Sequence, residues 1–302
     1  MVQVTLKPVP ESGWLVVSST RLLARRFARR LKGRASANGI CMELEIPQEI
    51  VDRILDELQD DIPTLKICSL VSRSFLPTCR RHIYSTLDLM YSNPAKHSGK
   101  IKFAEDILSR NPDIAPLIHH FKVTITRDFP ISILTQLSRL RSLTIQRGGF
   151  QSTPADLEST IFTIFQSNLL VSITVADTFD IPISIFCACP QLKVLRLHNV
   201  TDIAKRNILP SLSDAKNGQL IHLDLTGSST VIPWLIQCLH NSESALRIDH
   251  LRFFDSSVHH DDEIDYCQQV INLSAATIER LGLYIDDGRR EYPETSPSVQ
   301  CS

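Results

Sequence analysis

Residues able to do chemistry are few in this chain and poorly spaced for it. The densest run of metal-ligating types is His259-His260-Asp261-Asp262-Glu263, and His119-His120 forms a second adjacent pair. Neighbouring side chains diverge on strands and on helices alike, so neither pair chelates alone. The acidic run reads as a solvated turn that caps the following helix. Cys187 and Cys189 are one residue apart, which is poor disulfide geometry, and read as small buried residues. With Cys41, Cys68, Cys79, Cys238, Cys267 and Cys301 they make eight cysteines and no C-x-x-C. That usage points to a reducing compartment, with neither a disulfide framework nor a zinc site. No G-x-G-x-x-G, Walker A, G-x-S-x-G or H-E-x-x-H is present. Nothing here motivates a reaction, a cofactor or a metal. A hydrolase or transferase hidden in an α/β fold would need convergent titratable groups at strand ends, and no such cluster stands out.

Composition narrows the class further. The 302 residues are 43% hydrophobic with a net charge of −1, enough for one large domain or two small ones. So balanced a charge argues against a nucleic-acid-binding or membrane-surface protein. No apolar run approaches the length of a membrane span. The one asymmetry lies in residues 1–41, with eight basic side chains against Glu11. Arg21, Arg25 and Arg29 recur at helical spacing, as do Leu23, Phe27 and Leu31. This basic amphipathic stretch suits a mitochondrial presequence, a nuclear import patch, a disordered extension, or translated upstream sequence if Met42 is the native start. No apolar region follows the charges as in a secretory signal.

From Glu43 the pattern becomes helical. Pro47 suits a first turn, and Ile50, Ile54, Leu55 and Leu58 share one face. Asp60-Asp61-Ile62-Pro63 interrupts. Thr64 is expected to cap a second helix carrying Leu65, Ile67, Cys68, Leu70 and Val71, and a third runs from about Ser74 to Tyr84. Three short helices make a very small core, of a kind that leans on a partner.

The string I-P-Q-E-I-V-D-R-I-L-D-E-L, the proline-containing turn, L-K-I-C-S-L-V-S-R-S-F and the closing Arg80-Arg81-His82-Ile83-Tyr84 resemble the F-box family, and especially the large set of fungal F-box-like proteins. The resemblance covers Leu44 to Leu89. Ile46 stands where the family has leucine, and Phe75 where it has tryptophan. The resemblance implies docking onto a Skp-type adaptor of a cullin–RING ubiquitin ligase. It carries the contact role to Pro47, Ile50, Ile54, Leu55, Leu58, Leu65, Leu70, Val71 and Phe75. Leu58, Val71 and Phe75 suit the module's own core equally well.

Beyond Ser92-Asn93-Pro94 the order changes to L-x-x-L-x-L. Its central residues are Phe121, Leu143, Ile173, Leu195, Leu223, Leu251 and Leu281, spaced 22, 30, 22, 28, 28 and 30 apart. Helical segments are expected at Pro154–Asn168, Ile232–Leu239 and Glu263–Leu273. This resembles irregular leucine-rich repeats, and predicts an α/β solenoid with parallel strands inside and helices outside. Residues flanking each central position face the concave side. They place Lys122, Arg196, His198, His222, Asp224, His250, Arg252, Phe254, Arg280 and Tyr284 on a mildly basic surface. Such a surface suits an acidic or phosphorylated segment of a protein substrate.

The expected organisation is a basic extension (1–41), an F-box-like domain (42–90), a linker (91–98), a leucine-rich-repeat-like domain (99–286) and a polar tail (287–302). Residues 83–89 can also supply a first strand of the repeat domain. The function implied by resemblance is that of a substrate-receptor subunit of a ubiquitin ligase, in the cytoplasm or nucleus, rather than an enzyme. The alternative is a scaffold or regulator with the same parts, acting outside ubiquitin ligation. A mitochondrial address would require the basic segment to be a native presequence.

Overall fold

The computed structural model of the protein describes residues 46–285, apart from 91–93, 127, 150–154, 168, 180–185, 187–188, 202–217, 241–245 and 259–260. The basic segment, the polar tail, Cys187 and the His259-His260 pair lie outside the described residues. The chain divides into two units after Tyr84.

The first unit is helical. Helix α1 (Gln48–Asp56) starts on Pro47, whose carbonyl accepts the amides of Ile50 and Val51. A fixed φ and a missing N–H suit proline to this place. Helix α2 (Ile62–Val71) is capped by Asp61, not by Thr64 as expected. The Asp61 carboxylate accepts the Thr64 amide at 3.2 Å and the Thr64 hydroxyl at 2.8 Å, so the acid serves an otherwise orphaned helical amide. Helix α3 (Leu76–Ile83) carries Pro77 in its first turn. Val51, Leu55, Leu58, Leu65 and Cys79 form the core, edged by Ile46, Ile62, Cys68, Phe75 and Ile83. Burial pushes the Cys79 thiol up to about 11. Polar bonds tie α1 to α3. Asp52 accepts the Thr78 hydroxyl at 2.5 Å, and Asp56 accepts Arg81 at 2.7 Å with His82 at 2.6 Å.

The second unit is built on eight parallel strands. They are β1 (Thr86–Leu89), β2 (His120–Thr124), β3 (Ser142–Gly149), β4 (Ser172–Phe179), β5 (Val194–His198), β7 (His222–Leu225), β9 (Phe253–Val258) and β10 (Arg280–Ile285). Each strand lies beside the one before it in the chain. Two short strands, β6 (Gly218–Gln219) and β8 (Leu246–Arg247), pair separately just ahead of β7 and β9. Parallel neighbours require crossovers, and helices fill several of them. These are α4 (Pro94–Arg110), α5 (Ile131–Gln136), α6 (Ala155–Phe165), α7 (Ile232–His240) and α8 (Asp261–Ser274). The linker expected over 91–98 is helical from Pro94 onward. Strand β1 falls within the span read as F-box-like and belongs to the sheet.

One device sets the register at every step. The carbonyl preceding a strand accepts two successive amides of the next: Ser85 takes His119 and His120, and His119 takes Arg141 and Ser142. Arg141, Val171, Lys193, Ile221 and Arg252 do the same in turn. The core then follows the alternation of a strand. Phe121, Leu143, Ile173, Leu195, Leu223 and Phe254 form one buried row, and Val123, Ile145, Val175, Leu197, Leu225 and Ser256 the next.

This register overturns one repeat of the sequence reading. Phe254, not Leu251, lies beside Leu223. The spacing Ile248-Leu251-Phe253 mimics the motif, and the true order is Leu251-Phe254-Ser256. A serine in a leucine's place hides it. Ser256 is fully buried and lies within reach of the Cys267 thiol of α8, at 3.8 Å.

Candidate functional site

Two surfaces carry the candidate residues. On the helical unit, Pro47 is exposed, and so are Ile50, Ile54, Leu70 and Val71. Ile50 and Ile54 follow Pro47 along a stripe of α1 distinct from its Val51–Leu55 core stripe. Leu70 is 88% exposed. Leu55, Leu58 and Leu65, also expected as adaptor contacts, are core instead, at 2%, 5% and 0% exposure. Phe75 packs against that core. The sequence reading missed Ile67 and Leu76, both exposed. The available signal was that α2 is apolar on two faces, with Leu65 and Cys68 inward and Ile67, Leu70 and Val71 outward. Exposed apolar side chains thus cluster on α1 and α2 of this unit.

The second surface is the polar face of the sheet. In register its first row reads Thr86, His120, Ser142, Ser172, Val194, His222, Phe253, Arg280. The second reads Asp88, Lys122, Thr144, Thr174, Arg196, Asp224, Asp255, Gly282, and the third includes His198, Ser257 and Tyr284. Lys122, Arg196, His198, His222, Asp224, Arg280 and Tyr284 therefore lie on this face as expected. Three others do not. Phe254 is buried in the core. His250 precedes the strand in a turn, 3.8 Å from Asp249. Arg252 lies at the register-setting position, where it grips Glu279 with two bonds of 2.7 Å. The shifted repeat brings Phe253, Asp255 and Ser257 to the face in their place.

That exchange changes the electrostatics. Asp255 is 9% exposed and accepts Arg280 at 2.8 Å. A side chain on Gly282 would collide with the Asp255 carboxylate, so only glycine leaves room for it. His198 meets Asp224 at 2.9 Å. Burial alone would raise the Asp224 carboxyl, but the Thr226 hydroxyl and amide together with His198 outweigh it and hold the group below the usual range. Arg196 lies 3.4 Å from Nδ1 of His222, whose Nε2 lies 3.6 Å from Asp255. Burial first, and Arg196 second, push His222 below the ordinary histidine value. The Phe253 ring sits beneath Arg252 and Arg280, at 5.7 and 5.4 Å. Two aspartates balance Arg196 and Arg280. The surface read as basic is close to neutral when its histidines are uncharged.

Asp177 near the end of β4, Asn199 just after β5 and Gly227 just after β7 take φ of 51°, 52° and 68°, each five residues past its strand's first residue. Asn199 donates to Asp177 at 3.0 Å, and its amide donates to the Thr226 carbonyl at 3.0 Å. Asparagine, aspartate and glycine tolerate this left-handed region best. Asn199 and Gly227 let the chain leave β5 and β7 along the same path.

Among the described residues no group of three or more histidines, cysteines, aspartates or glutamates is placed to hold a metal ion. Nor is any described helix long and apolar enough to cross a membrane. No protein-family profile, curated protein or solved structure matches the chain.

Proposed function

We propose that the chain is a substrate receptor of an SCF-type cullin–RING ubiquitin ligase. Its F-box-like helical unit docks a Skp-type adaptor, and its leucine-rich-repeat-like sheet holds a protein substrate. The observation that carries this reading is the exposure of Pro47, Ile50, Ile54, Leu70 and Val71 on a helical unit whose apolar core, among the described residues, consists of five buried side chains. The F-box-like sequence pattern and the row of sequential parallel strands support it. The mechanism is proximity: a tethered substrate meets the reactive thioester at high effective concentration. The chain supplies geometry and no catalytic residue.

Capture by the cognate Skp-type adaptor tests the reading. Wild-type chain is expected to co-purify with the adaptor, and the Pro47→Ala, Ile54→Asp double variant is not. Both positions lie outside the core, so the variant should keep its fold. A folded wild type that captures no adaptor would leave the scaffold reading in its place.

A further inference from the structure

Arg196 can donate to Nδ1 of His222 only while that nitrogen carries a lone pair. The ring proton then sits on Nε2, which is buried 3.6 Å from Asp255, beyond hydrogen-bond distance. A second proton on Nδ1 turns the contact into two facing donors and two like charges. We propose that protonation of His222 releases Arg196 and converts the sheet face over β5, β7, β9 and β10 into a docking surface for an acidic protein segment.

The surrounding charges favour this occupant. His222 faces Arg196 from β5, Asp255 from β9, Arg280 from β10 and Asp224 on its own strand. His198 faces Asp224 from β7, while its register partner on β4 is the uncharged Ala176. With the His222 ring neutral, Arg196 and Arg280 balance Asp224 and Asp255. Its protonation leaves an excess of one positive charge. Asp255 remains engaged by Arg280, so the freed guanidinium is that of Arg196, beside the hydroxyls of Ser172 and Thr174 in neighbouring register positions. A guanidinium with free N–H groups forks onto carboxylates. By reciprocity, an acidic ligand binds more tightly as protons are taken up, by up to about tenfold per pH unit for each proton.

This inference rests on reading the sheet face as the substrate surface. The test uses the full chain and a fluorescein-labelled octaglutamate peptide at constant ionic strength, read by anisotropy. Glutamate stays ionised at pH 5.5. Binding is expected to be at least about tenfold tighter at pH 5.5 than at pH 7.5. The His222→Gln variant should lose that ratio. Arg196→Gln, with an unchanged circular dichroism spectrum, should lose most of the affinity at pH 5.5, and Lys122→Gln should keep the ratio. An unchanged ratio in the histidine variant, or no tightening in the wild type, overturns the proposal. Failure here with adaptor capture intact removes only the acid-gated docking. Loss of adaptor capture with this result intact removes only the ligase reading.

Discussion

Two adjacent phenylalanines decide the register of the sheet. Phe254 is fully buried between the Leu223 and Leu281 positions, while Phe253 is half-buried on the polar face beneath two arginines. Truncating a buried phenylalanine costs about 3 to 5 kcal/mol, through lost transfer energy and the cavity left behind. Phe254→Ala should fall in that range. Phe253→Ala loses partial burial and cation–π contacts, for about 1 kcal/mol. Trp234 on α7 and Trp14 are the only tryptophans. In a Trp14→Phe background, fluorescence therefore follows the sheet unit alone during urea denaturation. With a slope of about 3 kcal/mol per molar urea, Phe254→Ala should lower the midpoint by about 1 to 2 M, and Phe253→Ala by about 0.3 M. A larger loss at Phe253 than at Phe254 would refute the register, and with it the assignment of Asp255 to the polar face.

The same assay checks two further expectations. His222 holds its proton less well folded than unfolded, and burial gives His120 the same sign. As pH falls below about 6.5 the unfolded chain takes up protons first, so stability should decline from there until the depressed folded values are passed. His222→Gln should flatten part of that slope. Asp224 adds a separate loss only below its unfolded value near 3.8. Gly227→Ala places a side chain at φ 68° against the Asn199 carboxamide. It should cost about 2 kcal/mol or more, from left-handed strain of about 1 to 2 kcal/mol plus the collision; a loss below about 0.5 kcal/mol would show that the turn adapts freely.

Leucine spacing was enough to read most of the sheet. Phe121, Leu143, Ile173, Leu195 and Leu223 occupy the central core row as the spacing predicts, and Leu281 continues that row in register but is exposed at the sheet edge. The helices expected near Pro154–Asn168, Ile232–Leu239 and Glu263–Leu273 correspond to α6, α7 and α8. The failures have local causes. Ser256 breaks the apolar pattern because its neighbour is a cysteine, and the decoy Ile248-Leu251-Phe253 fits the template better than the real strand does. Lys96-His97-Ser98 reads as linker because helix α4 begins with a polar turn. The polar face was legible only as far as the register was. A slip at one strand replaced an acid with a base and made a balanced surface look positive. Inward and outward sides of α1 and α2 were not separable, because both helices carry apolar residues on two faces.

The neighbour-to-neighbour order of the strands has an evolutionary consequence. Each strand meets only the strands before and after it in the sheet, and consecutive central positions are 22 to 34 residues apart along the chain. Cohesion is then close to a sum of adjacent interfaces. A change to one outward side chain is felt within a few neighbouring strands and not across the whole sheet. The face over β3 and β4, now hydroxyl-bearing, can drift toward a new ligand while the charged ladder over β5 to β10 stays as it is. Recognition in such a sheet can be revised one strand at a time, with the inward rows as the inherited frame.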